Sequence, residues 1–288
     1  MKVAFSTIAC PEWTLPRTIE LAARLGYSGL ELRTFGTGAT ELPGDPMLTA
    51  PGKVRRLCAD AGIEPLSLAS SISYDEPIFP PVVGRLRGDL EKSVAQTKSH
   101  VEFATKAGIG FVRVFGFETQ PNEPMNHALR RILERLDLAV RTARHTGVRL
   151  VMESGGSFTK AEHLLRLVES ASSADLVAAY SVANAWGSGE NPVEGIATLG
   201  NELAVVKLSD LRNGTPKPLG EGDVPVAQTV RALAARGFDG TLVYELPRLW
   251  MHREIEPEAM IQTAIERIYI WWGEGQPSKA EYSTAAAV

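Results

Sequence analysis

Cysteine is scarce in this chain, with only Cys10 and Cys58 in 288 residues. Two isolated thiols without a CxxC spacing make neither a disulfide framework nor a zinc knuckle, and they suit a reducing compartment. Runs of lysine and arginine are also lacking. The net charge is −4 and the pI about 5.8, which argues against a nucleic-acid-binding face. No apolar stretch approaches the ~20 residues of a membrane span. The opening MKVAFSTIAC runs straight into a strand-like pattern, without the charged, apolar and cleavable regions of a leader. A cytoplasmic protein with no nucleic-acid partner and no membrane is therefore expected. Two motifs are missing as well. The turn after the first apolar run reads STIACP, not GxGxxG, which removes the phosphate-binding signature of an open dinucleotide-binding sheet. The five histidines show no HxH or HExxH spacing. His100, His127, His145 and His163 fall on helical segments or their starts, and only His252 follows a strand.

What is present is an ordinary globular composition, 44% hydrophobic and 22% charged, enough for a sizeable core. Strand-length apolar runs at 3–6, 29–32, 65–70, 111–115, 148–153, 176–180, 204–208 and 241–245 alternate with amphipathic, helix-like segments. Leu15–Leu25 is helical in spacing and is followed by Gly26. The segment 128–144 repeats Leu, Ile and Val at steps of three and four, and Gly147 closes it. Eight strand–helix units of roughly 35 residues predict a single (β/α)8 TIM barrel over 1–272. The polar, small-residue stretch 273–288 reads as a C-terminal tail.

A barrel places its chemistry at the C-terminal ends of its strands, and strand side chains alternate between the axis and the helices. LVMES puts Val151 and Glu153 on one face, VVKLS puts Val205 and Lys207 together, and LVYEL puts Val243 and Glu245 together. AAYS does the same for Ala179 and Ser181. With each set pointing inward, Glu153, Ser181, Lys207 and Glu245 meet at the mouth. A lone lysine inside a core strand is costly unless paired, and the two glutamates supply its partners. Trp13, Asn184, Trp186 and Arg248 fall on loops after strands and are candidates for substrate contact, Arg248 as a clamp for an anionic group. Asp210, just past the lysine strand, joins them. Glu31 and Arg33, at the end of the second strand, read either as pocket members or as a structural ion pair. The Gly220-Glu221-Gly222 turn suggests a flexible backbone but no phosphate loop.

These residues carry a family look. The block FSTIACPEWTLPRTIELAARLGYSGLELR, the string VRVFG and the string PLGEGDVP resemble the sugar phosphate isomerase/epimerase group of the xylose-isomerase-like TIM-barrel superfamily. The resemblance spans most of the chain. It implies one divalent metal, such as Mn²⁺ or Mg²⁺, held by Glu, Asp, His and Glu from the late strands, with the glutamates doubling as a proton-transfer pair. Glu153 in VMES matches the first glutamate and Glu245 in VYELPR the last. The aspartate of WDVxH or WDVxN falls on Ser181 in YSVAN, with Asn184 at the second polar position. The histidine of HxKD falls on Lys207 in KLSD. A hydroxyl and an ammonium are poor ligands for a hard cation, so the expectation is no metal and no other cofactor, with Lys207 in the ion's place.

The expected activity is proton transfer beside a carbonyl of a small carbohydrate-like substrate, with Glu153 and Glu245 as acid and base and Lys207 near the developing oxyanion. A Schiff base on Lys207 ranks lower, because flanking glutamates raise its pKa. A non-catalytic barrel that binds a sugar-like ligand or a protein partner is the alternative, and a dehydratase or lyase on a related polyol is a second. A multi-metal phosphodiesterase lacks its histidines here. The resemblance also suggests a homodimer or homotetramer.

Overall fold

The computed structural model describes residues 1–35, 42–76, 89–248 and 255–276, and the side chains of 89–91 are outside the description. Eight strands are the sequence runs almost unchanged: β1 (Lys2–Ser6), β2 (Gly29–Arg33), β3 (Glu64–Ser73), β4 (Phe111–Phe115), β5 (Arg149–Glu153), β6 (Leu176–Ser181), β7 (Leu203–Leu208) and β10 (Thr241–Tyr244). They pair in parallel in the order β1-β10-β7-β6-β5-β4-β3-β2 and close on themselves, so the fold is a single (β/α)8 barrel.

Helices cover the outside: α1 (Leu15–Leu25), α2 (Pro51–Asp60), α3 (Asp89–Ala107), α4 (Met125–Ala143), α5 (Ala161–Ala171), α6 (Val182–Gly187), α7 (Pro192–Leu199), α8 (Val226–Ala235) and α9 (Pro257–Gly275). Gly26 ends α1 at φ +80°, the left-handed cap that a residue without Cβ adopts cheaply. In α4 the buried residues Leu129, Ile132, Leu136, Ala139, Val140 and Ala143 step by three and four, which turns one stripe to the sheet. The last helix runs to Gly275, and the tail beyond Gln276 lies outside the described residues, as does His252. Among the described residues no helix is long and apolar enough to cross a membrane.

A hairpin, β8 (Asp210–Arg212) and β9 (Thr215–Lys217), follows β7 directly. Its turn is Asn213-Gly214, both at positive φ, the conformation that two-residue hairpins demand.

Two cores hold the barrel. The larger lies between sheet and helices. The smaller fills the axis with Ala4, Leu66, Val151, Val177, Ala179, Val205 and Val243. Each buried valine contributes about 1.5–3 kcal/mol. The cluster also seals the lower barrel, so polar side chains above it open only toward the C-terminal mouth.

Candidate active site

The next inward residues on those strands are charged. Val151 is followed by Glu153, Val205 by Lys207 and Val243 by Glu245, on the alternation the sequence shows. Register sets their heights. Lys207 pairs with Val243 and Arg113 with Val151, so both cations are rooted one inward layer below the glutamates. Their long side chains rise to meet the carboxylates.

The contacts form one network. The Lys207 ammonium is fully buried. It donates to Glu31 in a short hydrogen bond and lies 3.6 Å from Glu153 and 3.8 Å from Glu245. Arg113 Nη1 lies 3.2 Å from Glu153 and 3.9 Å from Glu245. The other edge of that guanidinium, Nε and Nη2, donates to the Ser70 carbonyl at 3.2 and 3.0 Å, and its face stacks on Phe115 at 4.9 Å. Arg33 donates to the carbonyls of Ala69 and Ser70 and to the Ser71 hydroxyl.

Three acids and three cations thus share the upper barrel, and burial and mutual charge move Lys207, Glu31, Glu245 and Arg33 in different directions. Burial would lower the Lys207 pKa, but Glu245, Glu31 and Glu153 outweigh it and hold the ammonium above its ordinary value. Burial would raise Glu31, yet Lys207 and then Arg113 bring it below the usual carboxylate range. Glu245 goes the other way. Burial, joined by the Glu153 and Glu31 carboxylates, lifts it above its ordinary value despite the two cations. Arg33 is pulled down to about 10 by burial and by the charge of Arg113.

Above the network opens a cavity of about 830 Å³. Glu153, Glu245, Ser181 and Asn184 line it, as do Arg33 and Arg113. Phe115, Phe117 and the Gly155-Gly156 turn form one wall. The turn needs glycine: Gly156 sits at φ +55°, and a Cβ there would stand 2.5 Å from the Phe117 carbonyl oxygen. Ser181 caps α6 by accepting from the Asn184 amide, and the Asn184 side chain donates to the Ser154 carbonyl.

Other expected site residues lie apart. Lys207 is beneath the cavity and does not line it. Trp13 is 6% exposed, with Arg17 stacked on its ring, and Trp186 is 45% exposed at the surface; neither lines the cavity. Arg248 pairs with Glu12 and donates to the Ile255 carbonyl. Asp210 is buried and accepts the backbone N–H groups of Gly220, Gly222 and Val224. That tether corrects the expectation of a flexible glycine turn, because Gly220 and Gly222 let the backbone close onto a carboxylate. Sequence reasoning missed Arg113, although a buried arginine within VRVFG carries the same signal as a lysine within VVKLS.

Residues 19–271 match the family model for the xylose isomerase-like TIM barrel. Among solved structures, the chain is similar to the IOLI protein with a bound zinc atom at 17% identity and a TM-score of 0.79, over 96% of this chain and 100% of that one. It is similar to D-psicose 3-epimerase with D-tagatose from Clostridium cellulolyticum H10 at 17% identity and 0.73, over 94% and 99%. A third is the probable 3-DHS dehydratase AsbF from Bacillus anthracis, at 15% identity and 0.72, over 92% and 98%. No curated protein sequence matches. At such identities the structural likeness is one of fold, and the family match over most of the length decides membership: the chain belongs to the xylose isomerase-like TIM barrel family.

Proposed function

We propose that this barrel is an isomerase- or epimerase-like enzyme that moves a proton beside the carbonyl of a small carbohydrate-like molecule, with Glu153 and Glu245 as the proton-transfer pair. The observation that carries the reading is that both glutamates face one cavity with two buried cations within 4 Å of each. Abstraction needs a carboxylate and return needs a carboxylic acid. Burial and the neighbouring carboxylates raise the pKa of Glu245 above its ordinary value, which suits it to the acid's part. Glu153 is then the base. Neighbours of the same fold are named as acting on D-psicose or L-ribulose, which supports a ketose as substrate class. The fold neighbour named as a dehydratase belongs to a chemistry that starts with the same abstraction.

The donor set does not fit a divalent metal. Between Glu153 and Glu245 stand an ammonium and a guanidinium, and both repel an added cation. Ser181 offers a hydroxyl where a carboxylate is needed. Among the described residues no three His, Cys, Asp or Glu side chains are grouped to hold an ion. In this reading Lys207 supplies the charge from beneath, and no step runs through a metal.

The test is wash-in of solvent deuterium. Purified enzyme in D2O with D-tagatose, D-fructose or L-ribulose should exchange one carbon-bound proton, read by proton NMR, and Glu153→Gln and Glu245→Gln should each abolish it. Ion-pairing of both glutamates favours a barrel that only binds such a sugar. That alternative predicts binding by calorimetry with no exchange.

A further inference from the structure

Resting on that proton-transfer reading, we propose that Arg113, not Lys207, is the catalytic electrophile: its Nη1 donates to the substrate oxygen on which negative charge gathers. Position comes first. A group that stabilises a developing oxyanion must touch it. Lys207 is fully buried, is tied to Glu31 and lies outside the cavity lining, whereas Arg113 lines the cavity.

Orientation comes second. One edge of the guanidinium is clamped on the Ser70 carbonyl through Nε and Nη2, and its face rests on Phe115. The Ser70 hydroxyl in turn donates to the Arg113 carbonyl. Those anchors leave Nη1 beside both carboxylates, donating to Glu153 at 3.2 Å and standing 3.9 Å from Glu245. A substrate carbon poised between Glu153 and Glu245 therefore has its carbonyl oxygen within reach of the same nitrogen. Such a donor is fixed before the reaction and needs no rearrangement during it.

The step balances without a co-reactant. The Glu153 carboxylate takes the proton from the carbon next to the carbonyl. The C–H electron pair becomes the C=C bond, and the carbonyl π pair moves to oxygen, giving an enediolate. Arg113 holds that oxyanion by hydrogen bonding and transfers no proton. The Glu245 carboxylic acid then protonates carbon and the carbonyl re-forms. The substrate class that follows is an α-hydroxy ketone, in which the hydroxyl-bearing carbon is acidified by its neighbour. Lys207 has a different part: sealed beneath the cavity and tied to Glu31, its ammonium lies 3.6 Å from Glu153 and 3.8 Å from Glu245 and offsets their repulsion at close range.

The experiment compares wild type, Arg113→Lys and Arg113→Ala in D2O with D-tagatose, D-fructose and L-ribulose. Expected are a fall in kcat of about 10²–10³-fold in Arg113→Ala with KM changed far less, and recovery of at least about 10-fold on adding guanidinium but not ammonium. Arg113→Lys keeps the charge while losing the planar clamp, and circular dichroism with a Tm near wild type checks that it folds. It should stay at least about 10-fold below wild type. Glycolohydroxamate, an uncharged mimic of the enediolate, should bind wild type and lose at least about 10-fold in affinity in Arg113→Lys by calorimetry. Exchange in wild type with a near-normal kcat in Arg113→Lys, or with no guanidinium rescue of Arg113→Ala, overturns the assignment and leaves the proton-transfer reading standing. No exchange in wild type on any of the three ketoses overturns both.

Discussion

Replacing Lys207 with methionine keeps a long unbranched side chain and removes one charge. The consequence is set by what the ammonium leaves behind. Glu153 still has Arg113 at 3.2 Å, and Glu245 is 17% exposed, so water and Arg113 soften its loss. Glu31 is 1% exposed, and Lys207 is its one ion-pair partner among the described residues. Breaking a buried pair from one side costs about 3–5 kcal/mol. Unfolding entropy of about 2.1 cal/mol/K per residue gives roughly 0.6 kcal/mol/K for 288 residues. The expected fall in Tm at pH 7 is therefore about 5–8 °C, read by calorimetry or circular dichroism. The pH dependence has a definite sign. Glu31 lies below its ordinary 4.5 in the folded wild type, so its contribution is present above that value and lost as pH falls through the folded pKa. Lys207 lies above its ordinary 10.5, so its contribution is present below that value and lost as pH rises through the folded pKa. In Lys207→Met the orphaned Glu31 is relieved by protonation, and the deficit against wild type should shrink between pH 7 and pH 4. Adding Glu31→Gln should restore most of the loss at pH 7, since removing both charges leaves none stranded. A deficit below about 1 °C, or a double variant no more stable than the single one, would refute the argument that Glu31 is held chiefly by this lysine.

Other outcomes follow from the same geometry. Ser181→Asp with Lys207→His should take up close to one equivalent of Mn²⁺ or Zn²⁺ by elemental analysis, and no gain counts against the positional match to metal-binding relatives. Glu245 binds its proton more tightly folded than unfolded. Its contribution is thus complete below 4.5 and is lost as pH rises through its folded pKa. Glu245→Gln removes that slope, so parallel Tm curves for variant and wild type between pH 4 and 7 would contradict a raised Glu245 pKa. A Cβ at Gly222 would fall 2.0 Å from Asp210 Oδ1. Gly222→Ala should cost about 1–3 kcal/mol and speed amide hydrogen exchange at Gly220 and Val224, and unchanged protection at those amides would dismiss the tether.

The barrel was legible because two periods speak at once. Alternation of two marked the inward faces, steps of three and four marked the helices, and both agreed along the chain. The hairpin Asp210–Lys217 escaped notice although Asn213-Gly214 advertises it, since it interrupts the strand–helix rhythm that the rest of the chain keeps. Loop residues were the weak point. No period fixes where a loop side chain points, so Trp13 and Trp186, both candidates for substrate contact by position, lie outside the cavity lining, one packed under Arg17 and the other half-exposed at the surface.

The charged site was half legible, and the missing half has a physical reason. Phase alone says that Glu153, Lys207 and Glu245 face inward, but not at what height their charges meet. An ammonium or guanidinium sits at the end of a longer stem than a carboxylate. A cation rooted level with Val243 or Val151 therefore arrives beside an acid rooted two residues further along the neighbouring strand, Lys207 beside Glu245 and Arg113 beside Glu153. With reach added to phase, Arg113 two residues before the end of β4 becomes as conspicuous as Lys207, and its neighbour Glu153 on β5 as expected a partner. The same reasoning explains why Lys207 turned out to be occupied from its other side. A buried ammonium has three donors to satisfy, and Glu31 from β2 gives it a direct acceptor where the two mouth glutamates stand off at 3.6 and 3.8 Å. Of Lys207 and Arg113, it is the guanidinium, spread over a plane and anchored by its far edge on Ser70, that reaches the cavity lining beside both mouth glutamates.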